Sequence, residues 1–115
     1  MQNQEKLIGC HTKILLLADI LDSIAHQKGS ELIVTSGKRE GNGKSWHDKG
    51  LAIDCAFRDI HIFKLVTEFY WLCTKQEGAF DGITEFEVCC DLSKQHFHFA
   101  FGNEDKLEIF TGTYS

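Results

Sequence analysis

The spacing of hydrophobic positions changes several times along the 115-residue chain, and each change marks an element. Between Thr12 and Lys28, Ile14, Leu17, Leu21 and Ile24 recur every three or four residues, the spacing of one helical face. That segment closes on Lys28-Gly29, a cation for the last turn and a glycine for the position just past it, so a helix is predicted. Leu32 to Ser36 is a short apolar run with β-branched residues and reads as a strand. The stretch GKREGNGKS that follows is polar, holds three glycines and is predicted to be a loop. From Leu51 to Phe57 the pattern alternates, with Leu51, Ile53 and Cys55 on one face and Ala52, Asp54 and Ala56 on the other, as in a strand.

Asp59 stands where it could cap a helix running to about Gln76, with Ile62, Val66, Phe69 and Cys73 as its apolar stripe and Gly78 as its end. Strands are predicted over Phe80–Glu87 and Phe97–Phe101, with CCDLSK as the turn between them and Leu107–Thr111 as a final strand. Helices and strands that do not alternate as βαβ units predict an α+β fold, with helices packed on a mainly antiparallel sheet. One domain over 1–115 is expected, since there is no proline, repeat or linker-like segment.

Composition narrows the classes of function. The chain is 43% hydrophobic and 25% charged, as ordinary soluble domains are. Its net charge of −5, without any Lys/Arg-rich run, argues against nucleic acid or an anionic membrane surface as the partner. The opening MQNQEKLIGC lacks the basic and apolar regions of a secretory signal, and the longest apolar run, Ile14 to Ala18, is too short to cross a bilayer. A cytoplasmic protein is therefore expected. The five cysteines form no CxxC pair, so reduced and mostly buried thiols are expected rather than a zinc ribbon or a redox motif.

Two stretches carry candidate chemistry. In QHFHFAFG, residues 95–102, strand alternation puts Phe97, Phe99 and Phe101 on one face and His96, His98 and Ala100 on the other. In SWHDKGLAID, residues 45–54, His47 precedes the strand on which Asp54 stands between Ala52 and Ala56. If the two strands are neighbours, imidazoles and a carboxylate converge over a surface cleared of bulk. Two imidazoles and one carboxylate with an open fourth position make a catalytic zinc arrangement. Taken alone, such stretches are more often a hydrogen-bonded histidine pair or a turn histidine with a core aspartate than a metal site.

Two other stretches fall short of a site. GNGKS at 41–45 ends like a phosphate-binding loop, but residue 38 is Lys38 where the first glycine is needed, and WHDKG is no apolar helix start. A cysteine–histidine hydrolase using Cys89 or Cys90 with His96 lacks a third group to orient the base.

Taken together, SGKR at 36–39, SWHDKGLAID at 45–54 and HFH at 96–98 resemble the M15 metallopeptidases. These are zinc D-alanyl-D-alanine carboxypeptidases, dipeptidases and phage endolysin peptidases, which share a fold with the signalling domain of Hedgehog proteins. Ser45, His47, Gly50, Ala52 and Asp54 meet every fixed position of the middle pattern, S-x-H-x-x-G-x-A-x-D. FDGI at 80–83 is similar to the stretch ahead of the last histidine in that family, so the resemblance covers about residues 31–102.

The resemblance implies a Hedgehog/DD-peptidase-like fold, Zn2+ as cofactor, and His47, Asp54 and His98 as its ligands. It further implies that Arg39 holds or polarises the substrate's carbonyl or carboxylate and that His96 stabilises developing negative charge. Ser45 would position the site by hydrogen bonding, and Gly50 would let the chain turn ahead of the strand. The implied substrate is a peptidoglycan stem or cross-bridge peptide, cleaved near D-alanine, in a phage or prophage lysis setting. Many family members carry the proton-transferring Asp or Glu three positions before the last ligand, where this chain has Gln95. Asp91 is the leading candidate for that role, with Glu87 and Glu85 behind it.

Overall fold

The computed structural model describes residues 1–89 and 95–102 in full and residues 108–112 as backbone. Two α-helices, α1 (Thr12–Gln27) and α2 (Val66–Lys75), accompany five strands: β1 (Leu32–Ser36), β2 (Ala52–Phe57), β3 (Glu85–Cys89), β4 (His96–Ala100) and β5 (Glu108–Gly112). The strands form one sheet in the order β1-β2-β4-β3-β5. Every pairing is antiparallel except that of β3 with β5. The fold is therefore α+β with a mainly antiparallel sheet, as the pattern predicts.

α1 follows its predicted span closely. Its N-cap is His11, whose Nδ1 accepts the backbone N–H of Lys13 at 3.1 Å. Gly29, at φ +71°, closes the C-terminus while the Ser30 N–H returns to the Ala25 carbonyl at 2.8 Å. The inward stripe of Ile14, Leu17, Ala18, Leu21 and Ala25 is wholly buried.

The second helix departs from its predicted start. Asp59 does not cap it, because the residue takes a left-handed φ of 60° in the turn after β2. A 3-10 turn over Ile62–Lys64 comes first, and its cap is His61, which accepts the Phe63 N–H. The helix runs to Lys75, close to the predicted limit, but the left-handed residue that closes it is Gln76 rather than Gly78. Gln76 itself adopts φ 53°, and its side chain bonds the Cys73 carbonyl and the Gly82 N–H, each at 2.7 Å. β3 also begins five residues later than expected, at Glu85, because Phe80 lies in a 3-10 turn over Gly78–Phe80. From there Phe80 fills the core from the side, its ring 6.1 Å from Phe69 and 6.0 Å from Phe99.

The core lies on one face of the sheet. Register pairs Ile53 with Phe99 and Cys55 with Phe97 across β2–β4, and Phe86 with Phe99 and Val88 with Phe97 across β3–β4. Phe69 of α2 drops onto this row, its ring edge-on to Phe97 at 5.1 Å. Phe69, Phe86, Phe97 and Phe99 have no exposed surface, and each such burial contributes about 2–3 kcal/mol. The same alternation sends Asp54, His96, His98, Glu85, Glu87 and Cys89 to the opposite face. A rigid phenylalanine layer thus supports the polar groups on the reverse side.

Candidate metal centre

Asp54 and His98 are direct register partners in the β2–β4 ladder, so their side chains rise from adjacent points on one face. Ala52 and Ala100 pair two residues along, and their methyl groups leave space beside the polar pair. His47 reaches the same point from the loop between β1 and β2. That loop turns back at Gly50, where φ is +72° and a side chain would stand 2.8 Å from the Gly9 carbonyl oxygen. Ser45 organises the turn one step away, its hydroxyl accepting the Asp48 N–H at 3.1 Å.

The three groups converge tightly. Asp54 Oδ1 lies 2.8 Å from His98 Nδ1 and 3.2 Å from His47 Nε2. The imidazole centroids are 5.3 Å apart with their planes tilted by 53°. One ligand atom from each of His47, Asp54 and His98 lies within 4.8 Å of the others, a spacing that can hold a metal ion. Metal–ligand bonds of about 2.0–2.2 Å at tetrahedral angles set ligand atoms roughly 3.3–3.6 Å apart. The observed separations of 2.8 and 3.2 Å need only small outward shifts to reach that range.

The outer hydrogen bonds fix which nitrogens face the centre. The Gly37 carbonyl lies 2.8 Å from His47 Nδ1 and accepts its N–H, which makes Nε2 the nitrogen turned toward Asp54. A side chain at Gly37 would fall on the Lys6 carbonyl, so only glycine lets this backbone approach so closely. On the other imidazole, Glu85 Oε1 lies 3.0 Å from His98 Nε2 and accepts its N–H, leaving Nδ1 toward Asp54. Both histidines thus have the second hydrogen bond typical of metal-ligating imidazoles.

Electrostatics point the same way. Burial pushes the Asp54 pKa up, but hydrogen bonds from His47 and His98 outweigh it and hold the carboxyl well below the usual range. Burial alone would lower the His98 pKa; the Asp54 and Glu85 carboxylates on either side raise it instead. The centre is built to attract positive charge, whether a proton or a metal ion.

Arg39 completes the wall. Its Nε donates to Ser36 Oγ at 3.0 Å, and Nη2 donates to Asp54 Oδ2 at 3.3 Å. The rest of its donor fork faces a cavity of about 400 Å³ lined by Arg39, His47, Asp54, Glu87, His96 and His98. Five sequence-predicted site residues, His47, Asp54, His98, Arg39 and His96, therefore meet around one space. Asp91 lies outside the described residues, as does Cys90. Cys89 faces His96 across β3–β4 but is 1% exposed, which denies it the access a nucleophile needs. Cys10, Cys55, Cys73 and Cys89 are all free thiols, the last three buried as expected. Burial pushes the Cys73 thiol up to about 12. Among the described residues, no helix is long and apolar enough to cross a membrane.

Sequence pattern gave no sign of the Gly37 carbonyl, because a backbone oxygen has no residue signature. Glu85 carried a readable signal, since it shares a strand face with Glu87, but only the β3–β4 register attaches it to His98.

No protein-family model, curated protein or solved structure matches the chain.

Proposed function

We propose that the chain is a zinc peptidase of the M15 type, hydrolysing peptidoglycan stem or cross-bridge peptides at D-alanine in a phage or prophage lysis system. The observation that carries this reading is the convergence of His47, Asp54 and His98 on one point beside Arg39, at a cavity of about 400 Å³. Three protein ligands with a fourth position left over suit catalysis rather than a closed structural site. When bound there, zinc supplies a Lewis acid that polarises a carbonyl and acidifies water.

The residues of the chain do the rest. Arg39 binds the substrate's carbonyl or terminal carboxylate through its remaining N–H groups, a task for a planar and permanently charged fork. His96 offers an imidazole N–H to the oxygen that gains charge as the carbonyl is attacked. A carboxylate accepts a proton from water and returns it to the leaving amine. The walls of the cavity hold the peptide so that attack is effectively intramolecular.

Gln95 favours a second reading, a zinc-binding module used for recognition, because an amide stands where many M15 members have the proton carrier. Metal analysis of the purified chain, followed by incubation with peptidoglycan with and without chelator, separates the two. The peptidase reading expects stoichiometric zinc and chelator-sensitive release of free amines. Bound zinc without amine release would leave the recognition module, and absence of zinc would eliminate both.

A further inference from the structure

Asp54, Glu85 and Glu87 bring three carboxylates to this face of the sheet, and their partners distinguish them. Asp54 is engaged on both oxygens, Oδ1 by His47 and His98 and Oδ2 by Arg39. Glu85 is tied to His98 Nε2 at 3.0 Å. Glu87 stands directly opposite His98 in the β3–β4 register, is half-buried, and lines the cavity itself. Among the described residues no hydrogen bond or ion pair holds its carboxylate.

Resting on the peptidase reading, we propose that Glu87 is the catalytic carboxylate that carries the proton, and that Glu85 is a positioning residue acting through His98. Glu85 spends Oε1 on the His98 N–H and is not among the residues that line the cavity, whereas Glu87 is, which favours Glu87 for the first role. Asp54 is removed because its two oxygens serve the ligand cluster and Arg39. Cross-strand partners have Cβ atoms about 4.5–5.5 Å apart, and the glutamate side chain extends from there into the cavity beside His98.

The step balances without a further reactant. As the water oxygen bonds to the scissile carbonyl carbon, one of its protons passes to Glu87. The C–N bond then breaks with its electron pair on nitrogen, and Glu87 gives that proton to the departing amine. One water is consumed, one carboxyl and one amine form, and Glu87 returns to its starting state.

The full chain loaded with zinc tests this against four variants, Glu87→Gln, Glu87→Asp, Glu85→Gln and Asp91→Asn. Zinc affinity is read by competition with a chromophoric chelator, and kcat and KM on a stem peptide ending in D-alanyl-D-alanine. Glu87→Gln should keep its zinc affinity and KM while kcat falls about 10²–10⁴-fold, and Glu87→Asp should recover part of it. Glu85→Gln should weaken zinc binding about 10–100-fold. Asp91→Asn, at the leading candidate from sequence, decides on the same assay between Asp91 and Glu87.

Full kcat in Glu87→Gln, or a kcat loss with intact zinc in Asp91→Asn, overturns the assignment of Glu87 while leaving the peptidase reading in place. A parent chain that binds zinc but cleaves nothing overturns that reading and the role of Glu87 with it. Unchanged zinc affinity in Glu85→Gln removes Glu85 as the positioning residue.

Discussion

His98 Nδ1 lies 2.8 Å from Asp54 Oδ1 because the two residues, 44 positions apart in the chain, are register partners in adjacent antiparallel strands. A slip of one residue in this ladder would send either side chain into the phenylalanine core. The register that buries Phe97 and Phe99 is thus the same one that brings Asp54 and His98 together. Stability and site geometry are set together.

Asp54→Ala should abolish zinc binding, since two imidazoles rarely hold the ion alone. It should also free the Arg39 guanidinium from its 3.3 Å contact. Metal analysis after dialysis checks this directly: stoichiometric zinc in the variant would show that Asp54 is not a ligand.

Gly37→Ala tests the backbone carbonyl behind His47. The added methyl group collides with the Lys6 carbonyl, so the segment must move and the 2.8 Å contact to His47 Nδ1 must lengthen. Zinc affinity should fall about 10–100-fold, the usual effect of losing an outer hydrogen bond on a ligating histidine. An unchanged affinity, with circular dichroism like that of the parent chain, would mean that the carbonyl does not orient the ligand.

The pH dependence of stability should differ between metal-free and zinc-loaded protein. The Asp54 pKa is depressed on folding, so its contribution is present above the unfolded value of about 3.9 and fades as pH falls. The His98 pKa is raised on folding, so its contribution is complete below the unfolded value of about 6.5 and fades as pH climbs through the folded value. For the metal-free chain the pair therefore stabilises most between about pH 4 and 6.5. Zinc competes with the proton on His98, so the loaded chain should instead gain stability from about pH 5.5 to 7.5. Urea midpoints measured against His98→Gln isolate this contribution. Parallel pH profiles for the metal-free parent and the variant would refute it.

Phe97→Ala should destabilise the fold by about 3–5 kcal/mol, a large part of the roughly 5–15 kcal/mol available to a domain. Phe97 has no exposed surface and packs on Phe57, Phe69, Phe86 and Phe99. Because Phe97 stands between the two histidines in sequence, zinc affinity should fall as well. A chemical denaturation curve within about 1 kcal/mol of the parent would contradict the packing described.

The elements that could be read from sequence were those set by local periodicity. α1 and β1 match their predicted spans closely because helical spacing, a C-terminal glycine and a β-branched run each act over a few residues. Strand alternation alone separated Phe97 and Phe99 from His96 and His98. The second helix and β3 both start later than predicted because long-range contacts govern those boundaries. Phe80 turns into the core and Gln76 takes a left-handed conformation to bond Gly82, and neither choice has a local signature.

The sequence by itself determined which side chains could ligate a metal and which strand faces carried them, since residue chemistry and a two-residue period are both local properties. Tertiary structure alone decided that β2 and β4 are neighbours in the register that opposes Asp54 to His98. It also decided that the Gly37 carbonyl and Glu85 turn the two imidazoles inward, and that Glu87 rather than Glu85 is left facing the cavity. Those outcomes depend on how distant segments pair and pack to bury the phenylalanine layer, and no short stretch of the chain encodes that pairing.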